Sequence, residues 1–128
     1  MLKRTRNPLI YLCILVLILF SNGNLKAYGT NNKWVEVSKT SAGIQYLDID
    51  SLDNKEQGII EIKTKYLRID PYSSKTIEEN IYIMKIDCID NKYKDISVNG
   101  KKNITAKWED PKKDKLLNDV ILDSCKNV

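Results

Sequence analysis

Asp110 to Cys125, which reads DPKKDKLLNDVILDSC, is the stretch that decides the fold. Upstream of it apolar residues recur at every second position, whereas here Leu116, Leu117, Val120, Ile121 and Cys125 recur at helical spacing. Leu117, Ile121 and Cys125 form one i, i+4 row, and residues so spaced share one face of a helix. Asp110 is placed to cap this helix, and Pro111 suits its first position, where the missing N–H leaves no bond unmade. A terminal helix with an apolar row has to bury that row. Leaving aside the N-terminal apolar run, the only large apolar surface available to it belongs to the segments of period two.

Those segments read as half-buried antiparallel strands separated by turn signals. Trp34 to Thr40 is the first, closed by Ser41-Ala42-Gly43, and Ile44 to Ile49 is the second, followed by a polar stretch from Asp50 to Gly58. In the third, Ile59 to Asp70, residues Ile60, Ile62, Thr64 and Tyr66 alternate with Glu61, Lys63 and Lys65, so one face is core and the other wet. The alternation changes parity at Tyr66-Leu67-Arg68-Ile69, which calls for a β-bulge or a strand end. Asp70 to Ser74 reads as loop. The fourth strand, about Asn80 to Ile89, puts Tyr82, Met84, Ile86 and Cys88 on one face. A fifth, Lys92 to Val98, meets Asn99-Gly100, a dipeptide suited to a tight hairpin turn. The sixth is expected from Asn103 to Trp108, with Ile104, Ala106 and Trp108 on one side. The expected architecture is α+β: an antiparallel sheet of about six strands packed by one C-terminal helix.

The N-terminal segment predicts where this domain works. Lys3, Arg4 and Arg6 precede an unbroken apolar run of 12 residues, Leu9 to Phe20, and the chain then turns polar at Ser21 to Asn24. That is the layout of a cleavable signal peptide over residues 1–27, leaving a domain over residues 28–128. As a helix the run reaches roughly 18 Å, short of the ~30 Å hydrocarbon core of a bilayer, so no integral span is expected after cleavage. Cys13 sits inside the run, followed by seven more apolar residues, which is the wrong place for lipidation. Residues 1–27 hold four of the 21 basic side chains and none of the 17 acidic ones, so the remainder carries 17 of each. A chain without net positive charge gives no electrostatic case for nucleic acid or an anionic membrane surface.

Once the leader leaves with Cys13, two cysteines remain, Cys88 and Cys125. In an oxidising compartment an even pair with no third candidate reads as one disulfide, the alternative being two separate buried thiols. The strand period aims Cys88 inward and the helical period aims Cys125 inward, so the bond would tie helix to sheet. Its loop of about 38 residues would stabilise the fold by roughly 4 kcal/mol on the chain-entropy model.

These residues carry a resemblance. Trp34 opening the domain, Tyr46-Leu47-Asp48 with Ser51-Leu52, Asp87-Cys88 late in the strand run, Trp108 before the helix and Cys125 near the end together resemble the bacterial surface-adhesin protein E family. The resemblance implies an exported antiparallel sheet packed by a C-terminal helix, with Cys88 bonded to Cys125. It also implies, for the founding adhesin, attachment to laminin, vitronectin and plasminogen. This chain lacks the founder's lipobox.

Catalytic chemistry is poorly supplied. The chain has no histidine, which removes the commonest general base and the commonest transition-metal ligand. Asp48, Asp50 and Asp53 form the one dense acidic cluster, but the glycine and distal Glu of an EF-hand loop are missing, and a solvated acidic turn is the expectation. Trp34, Tyr46, Tyr66, Tyr82 and Trp108 are expected in the core first, a ligand groove being the alternative. No metal site or cofactor is expected, and the sequence does not reveal a ligand cleft. The sequence points to an exported binding module engaging an extracellular matrix or envelope protein through sheet edges or a polar helix face carrying Lys113, Asp119 and Asp123. The alternative is a periplasmic envelope accessory protein with no host partner, and a weaker third reading is a small secreted inhibitor or hydrolase-associated module.

Overall fold

The computed structural model describes residues 32–126 and 128. The signal-peptide expectation, including Cys13, lies outside the described residues. Six strands form one antiparallel sheet in the order β1-β2-β3-β4-β5-β6, each pairing with its neighbour in sequence. They are β1 (Trp34–Lys39), β2 (Gly43–Glu56), β3 (Ile59–Ile69), β4 (Thr76–Asp87), β5 (Lys92–Val98) and β6 (Lys101–Lys102), followed, among the described residues, by one helix, α1 (Lys115–Cys125). The α+β expectation is met.

Alternation in β3 decides which face is dry. Ile60, Ile62 and Thr64 are buried and line up across the ladder with Ile86, Met84 and Tyr82 of β4. Val120 and Ile121 of α1 close over this face, joining Leu47, Ile60, Ile62, Met84 and Ile86 in one core cluster. Cys88, just beyond β4, is bonded to Cys125 at the end of α1, with the two Cα atoms 5.7 Å apart. The staple therefore fixes the C-terminal end of the helix to the sheet. Near its middle α1 is tied to β1, where the Ser38 hydroxyl donates to Asp119 at 2.5 Å.

Several expected boundaries move, each for a physical reason. The expected bulge is present as a register shift between Arg68 and Ile69. The polar stretch after Ile49 is not a loop: after a shift between Asp48 and Asp53, Asp53, Asn54 and Glu56 pair with Glu61, Ile60 and Ile59. Backbone pairing continues where side-chain alternation has lapsed, because ladder bonds need no apolar partner. The reversal falls instead at Gly58, whose φ of +76° suits glycine. For the same reason β4 begins at Thr76, four residues before its apolar alternation.

The sixth strand is corrected most. Asn99-Gly100 does form the hairpin turn, with φ of 49° and 79°, the pattern of a two-residue turn with both backbone angles positive. But β6 is only Lys101–Lys102, and Asn103 to Trp108 forms no strand, with Ile104 92% exposed. Tyr93 instead exchanges both backbone bonds with Glu109, so the β5 edge is covered further along and the intervening chain bows outward. The helix start is corrected too. Asp114, not Asp110, is the cap and accepts from the Leu117 N–H at 3.1 Å. Asp110 closes a tight turn by accepting from the Lys112 N–H at 2.7 Å, and Pro111 is buried in that turn.

Candidate functional site: the open face of the sheet

Because α1 covers one face, positions of the opposite parity in β1 to β5 make a second surface, on which no described element packs. Register places Trp34, Asp48, Lys63 and Ile83 in one cross-strand row, and Glu36, Tyr46, Lys65 and Ile81 in the next. Lys65 Nζ lies 4.7 Å from the centroid of the Trp34 ring and 4.9 Å from that of Tyr46. Lys63 Nζ is 6.0 Å from the same Trp34 ring and donates to Asn32 Oδ1 at 3.1 Å. Across the sheet, Lys94 Nζ lies 4.7 Å over Trp108. An ammonium over an aromatic face is held by the ring quadrupole, at about 0.5–1 kcal/mol in an exposed setting.

None of Lys63, Lys65 and Lys94 makes an ion pair among the described residues. Their charges are therefore held in place without being neutralised. Trp34 and Tyr46 are half-buried beneath lysine stems, and Trp108 is 39% exposed. The expectation that Trp34, Tyr46 and Trp108 belong to the core is overturned. They lie on the uncovered face, because α1 packs on the opposite one and takes the aliphatic residues of the other parity.

The remaining sequence candidates are dispersed. Asp48 is buried, with one carboxylate oxygen 3.3 Å from the Lys33 N–H, while Asp53 pairs with Lys55 at 2.6 Å. These two acids serve separate local contacts. The polar helix face is occupied internally: Asp119 is hydrogen-bonded by Lys115 and Ser38, which hold its carboxyl below the usual range, and Asp123 pairs with Lys126. Lys113 precedes the helix. No group of three or more acidic or sulfur ligands suited to a metal occurs among the described residues.

A description of the surface adhesin-E family matches residues 35–128. The chain belongs to the surface adhesin-E family. The match covers every strand except the first residue of β1, Trp34, and includes α1 and both bonded cysteines. No curated protein and no solved structure matches the chain. Membership of a surface-adhesin family points to an exported, protein-binding module. No helix among the described residues is long and apolar enough to cross a membrane.

Of the five aromatic residues expected in the core, Tyr82 does pack against it, whereas Trp34, Tyr46 and Trp108 lie on the uncovered face, and nothing in the two-residue period marks Lys63, Lys65 and Lys94 as more than wet-face lysines. A usable signal was present. Lys63 and Lys65 bracket Thr64 on a strand whose cross-ladder neighbour at Tyr46 is aromatic, and lysine stems lie along apolar surface while their heads stay in water.

Proposed function

We propose that this protein is a cell-surface binding module that attaches to host or extracellular matrix proteins without catalysing a reaction. The observation that carries the reading is the uncovered sheet face, where Lys65 rests on Trp34 and Tyr46 and Lys94 rests on Trp108. Aromatic residues dominate the energetics of protein interfaces because they bury large area at small entropic cost. Unpaired ammonium groups beside them favour a partner that brings carboxylates, and electrostatic complementarity speeds encounter and fixes register. Membership of the surface adhesin-E family supports the same reading.

Protease treatment of intact cells tests it, following peptides around Lys63 and Lys113 by mass spectrometry with a permeabilised sample as control. Cleavage in intact cells is expected. Protection until the envelope is opened would overturn surface adhesion and leave a periplasmic envelope protein with no host partner.

A further inference from the structure

At the N-terminal end of α1 the helix and sheet diverge around a cavity of about 490 Å³, bounded on the sheet side by Tyr66, Tyr82, Tyr93 and Asp95 and on the helix side by Asp114 and Leu117. We propose that this cavity binds a small organic cation, an alkylammonium or quaternary ammonium group seated among the three tyrosine rings with Asp95 as its counter-ion. The volume lies in the range of small-ligand sites, about 300–1,000 Å³. It lies on the covered side of the sheet and is separate from the face assigned to protein binding.

Charge and ring chemistry together select the ligand. Asp95 is half-buried, and no cation pairs with it among the described residues. Burial, reinforced by Glu109, pushes its carboxyl up to about 6. The same surroundings push Tyr93 up to about 12, burial first and Glu109 next. Tyr82 is also raised, by burial and then by Asp95. Three neighbouring groups thus resist negative charge, as expected of a partly dry pocket that already holds an excess of it. Lys115 is the one basic residue on the lining, and its ammonium is committed to Asp119. An incoming cation would relieve the unpaired carboxylate and meet aromatic faces at once, the combination that recognises ammonium ligands elsewhere.

The polar lining also explains why the cavity exists. Gln45, Thr64 and Asp95 occupy inward positions here, where Leu47, Ile62 and Ile86 fill the other half of the same face. Glu109, Asp114 and Lys115 are the other charged groups around the carboxylate, and Asp114 already caps the helix through the Leu117 N–H.

The test titrates choline chloride and cadaverine into the full chain, reading tyrosine side-chain resonances, with sodium benzoate as the anionic control. Saturable shifts on Tyr66, Tyr82 and Tyr93 are expected for the two cations and not for benzoate. Asp95→Asn, which keeps the shape, is expected to weaken cation binding by about tenfold or more near neutral pH. Wild-type affinity should fall as pH drops from about 7.5 to about 5, because Asp95 becomes neutral, whereas the variant's residual affinity should stay flat. Tyr82→Leu, which keeps apolar volume but removes a ring face, should also weaken binding, with its melting curve confirming the fold. No saturable shift with either cation, equal binding by Asp95→Asn, or equal binding of benzoate would overturn the proposal.

Discussion

On the face beneath α1, Ile60, Ile62, Met84 and Ile86 are all 1% exposed or less, whereas the same strands carry Lys63, Lys65 and Lys85, and the neighbouring β5 carries Lys94, to the opposite face. Both faces arise from one two-residue period, and what separates them is α1, which packs on one of them. Covering aliphatic side chains gives about 25 cal/mol per Å² of stabilisation, so the α1 face is where the fold's free energy sits. The uncovered face, where Asp48 is buried and Trp34 and Tyr46 are half-buried, contributes mainly polar and cation–aromatic contacts of about 0.5–1 kcal/mol each. Residues on it are thermodynamically free to serve a partner.

That difference predicts a ranking of substitutions. The largest effect is expected for Cys125→Ser, which opens a loop of sequence separation 37. On the chain-entropy model the loss is about 4 kcal/mol, a fall in Tm of roughly 15–30 °C for a domain of this size. An unchanged melting temperature in oxidising buffer would mean that the bond does not hold helix to sheet. Ile86→Ala, at a position with no exposure, should cost about 2–5 kcal/mol by transfer and cavity formation, measured by urea denaturation. A loss below about 1 kcal/mol would place the core elsewhere.

Asp95 gives a smaller, pH-dependent effect. Its folded-state pKa of about 6 lies above the ordinary value of 3.8, so the folded state binds the proton more tightly than the unfolded chain does. The contribution is fully present below pH 3.8, fades as pH rises, and is gone above about 6. Stability should therefore decline across that window, and Asp95→Asn should flatten the decline. A variant with the wild-type profile would show that the carboxyl is more solvated than the structure indicates.

The uncovered face should respond least in stability. Trp34→Ala removes a half-buried ring and two lysine contacts and is expected to cost no more than about 1–2 kcal/mol, below the range for a core aromatic. Smaller still, on the exposed rim of the helix-side parity, Arg68→Ala breaks an exposed pair with Glu78 at 3.0 Å and should change stability by less than about 1 kcal/mol. A Trp34 variant as damaging as Ile86→Ala would erase the distinction between the faces.

Much of this division was legible in the residue pattern. Ile60, Ile62 and Thr64 alternating with charged residues gave the buried face of β3, and the Leu117, Ile121, Cys125 row gave the helix face. What the pattern could not reach was set by backbone pairing and by distant partners. Asp50 to Glu56 stays in β2 because its peptide groups keep bonding to β3 despite a polar sequence. The residues 103–108 look like a strand but lose their place because Glu109 pairs with Tyr93. Trp34, Tyr46 and Trp108 read as core residues because parity alone does not say which of two faces a helix will cover. Asp95 was missed although an acid at an inward position of β5 is itself a signal, and the cavity beside it depends on where α1 begins.

The most direct test of the uncovered face is surface plasmon resonance of the purified domain over immobilised laminin, vitronectin and plasminogen, comparing wild type with the Lys63→Glu, Lys65→Glu double variant. The account predicts saturable binding by the wild type to at least one of them, a loss of about tenfold or more in the double variant, and melting temperatures within a few degrees of each other. Equal binding by the double variant, or no binding by the wild type to any of the three, would contradict it.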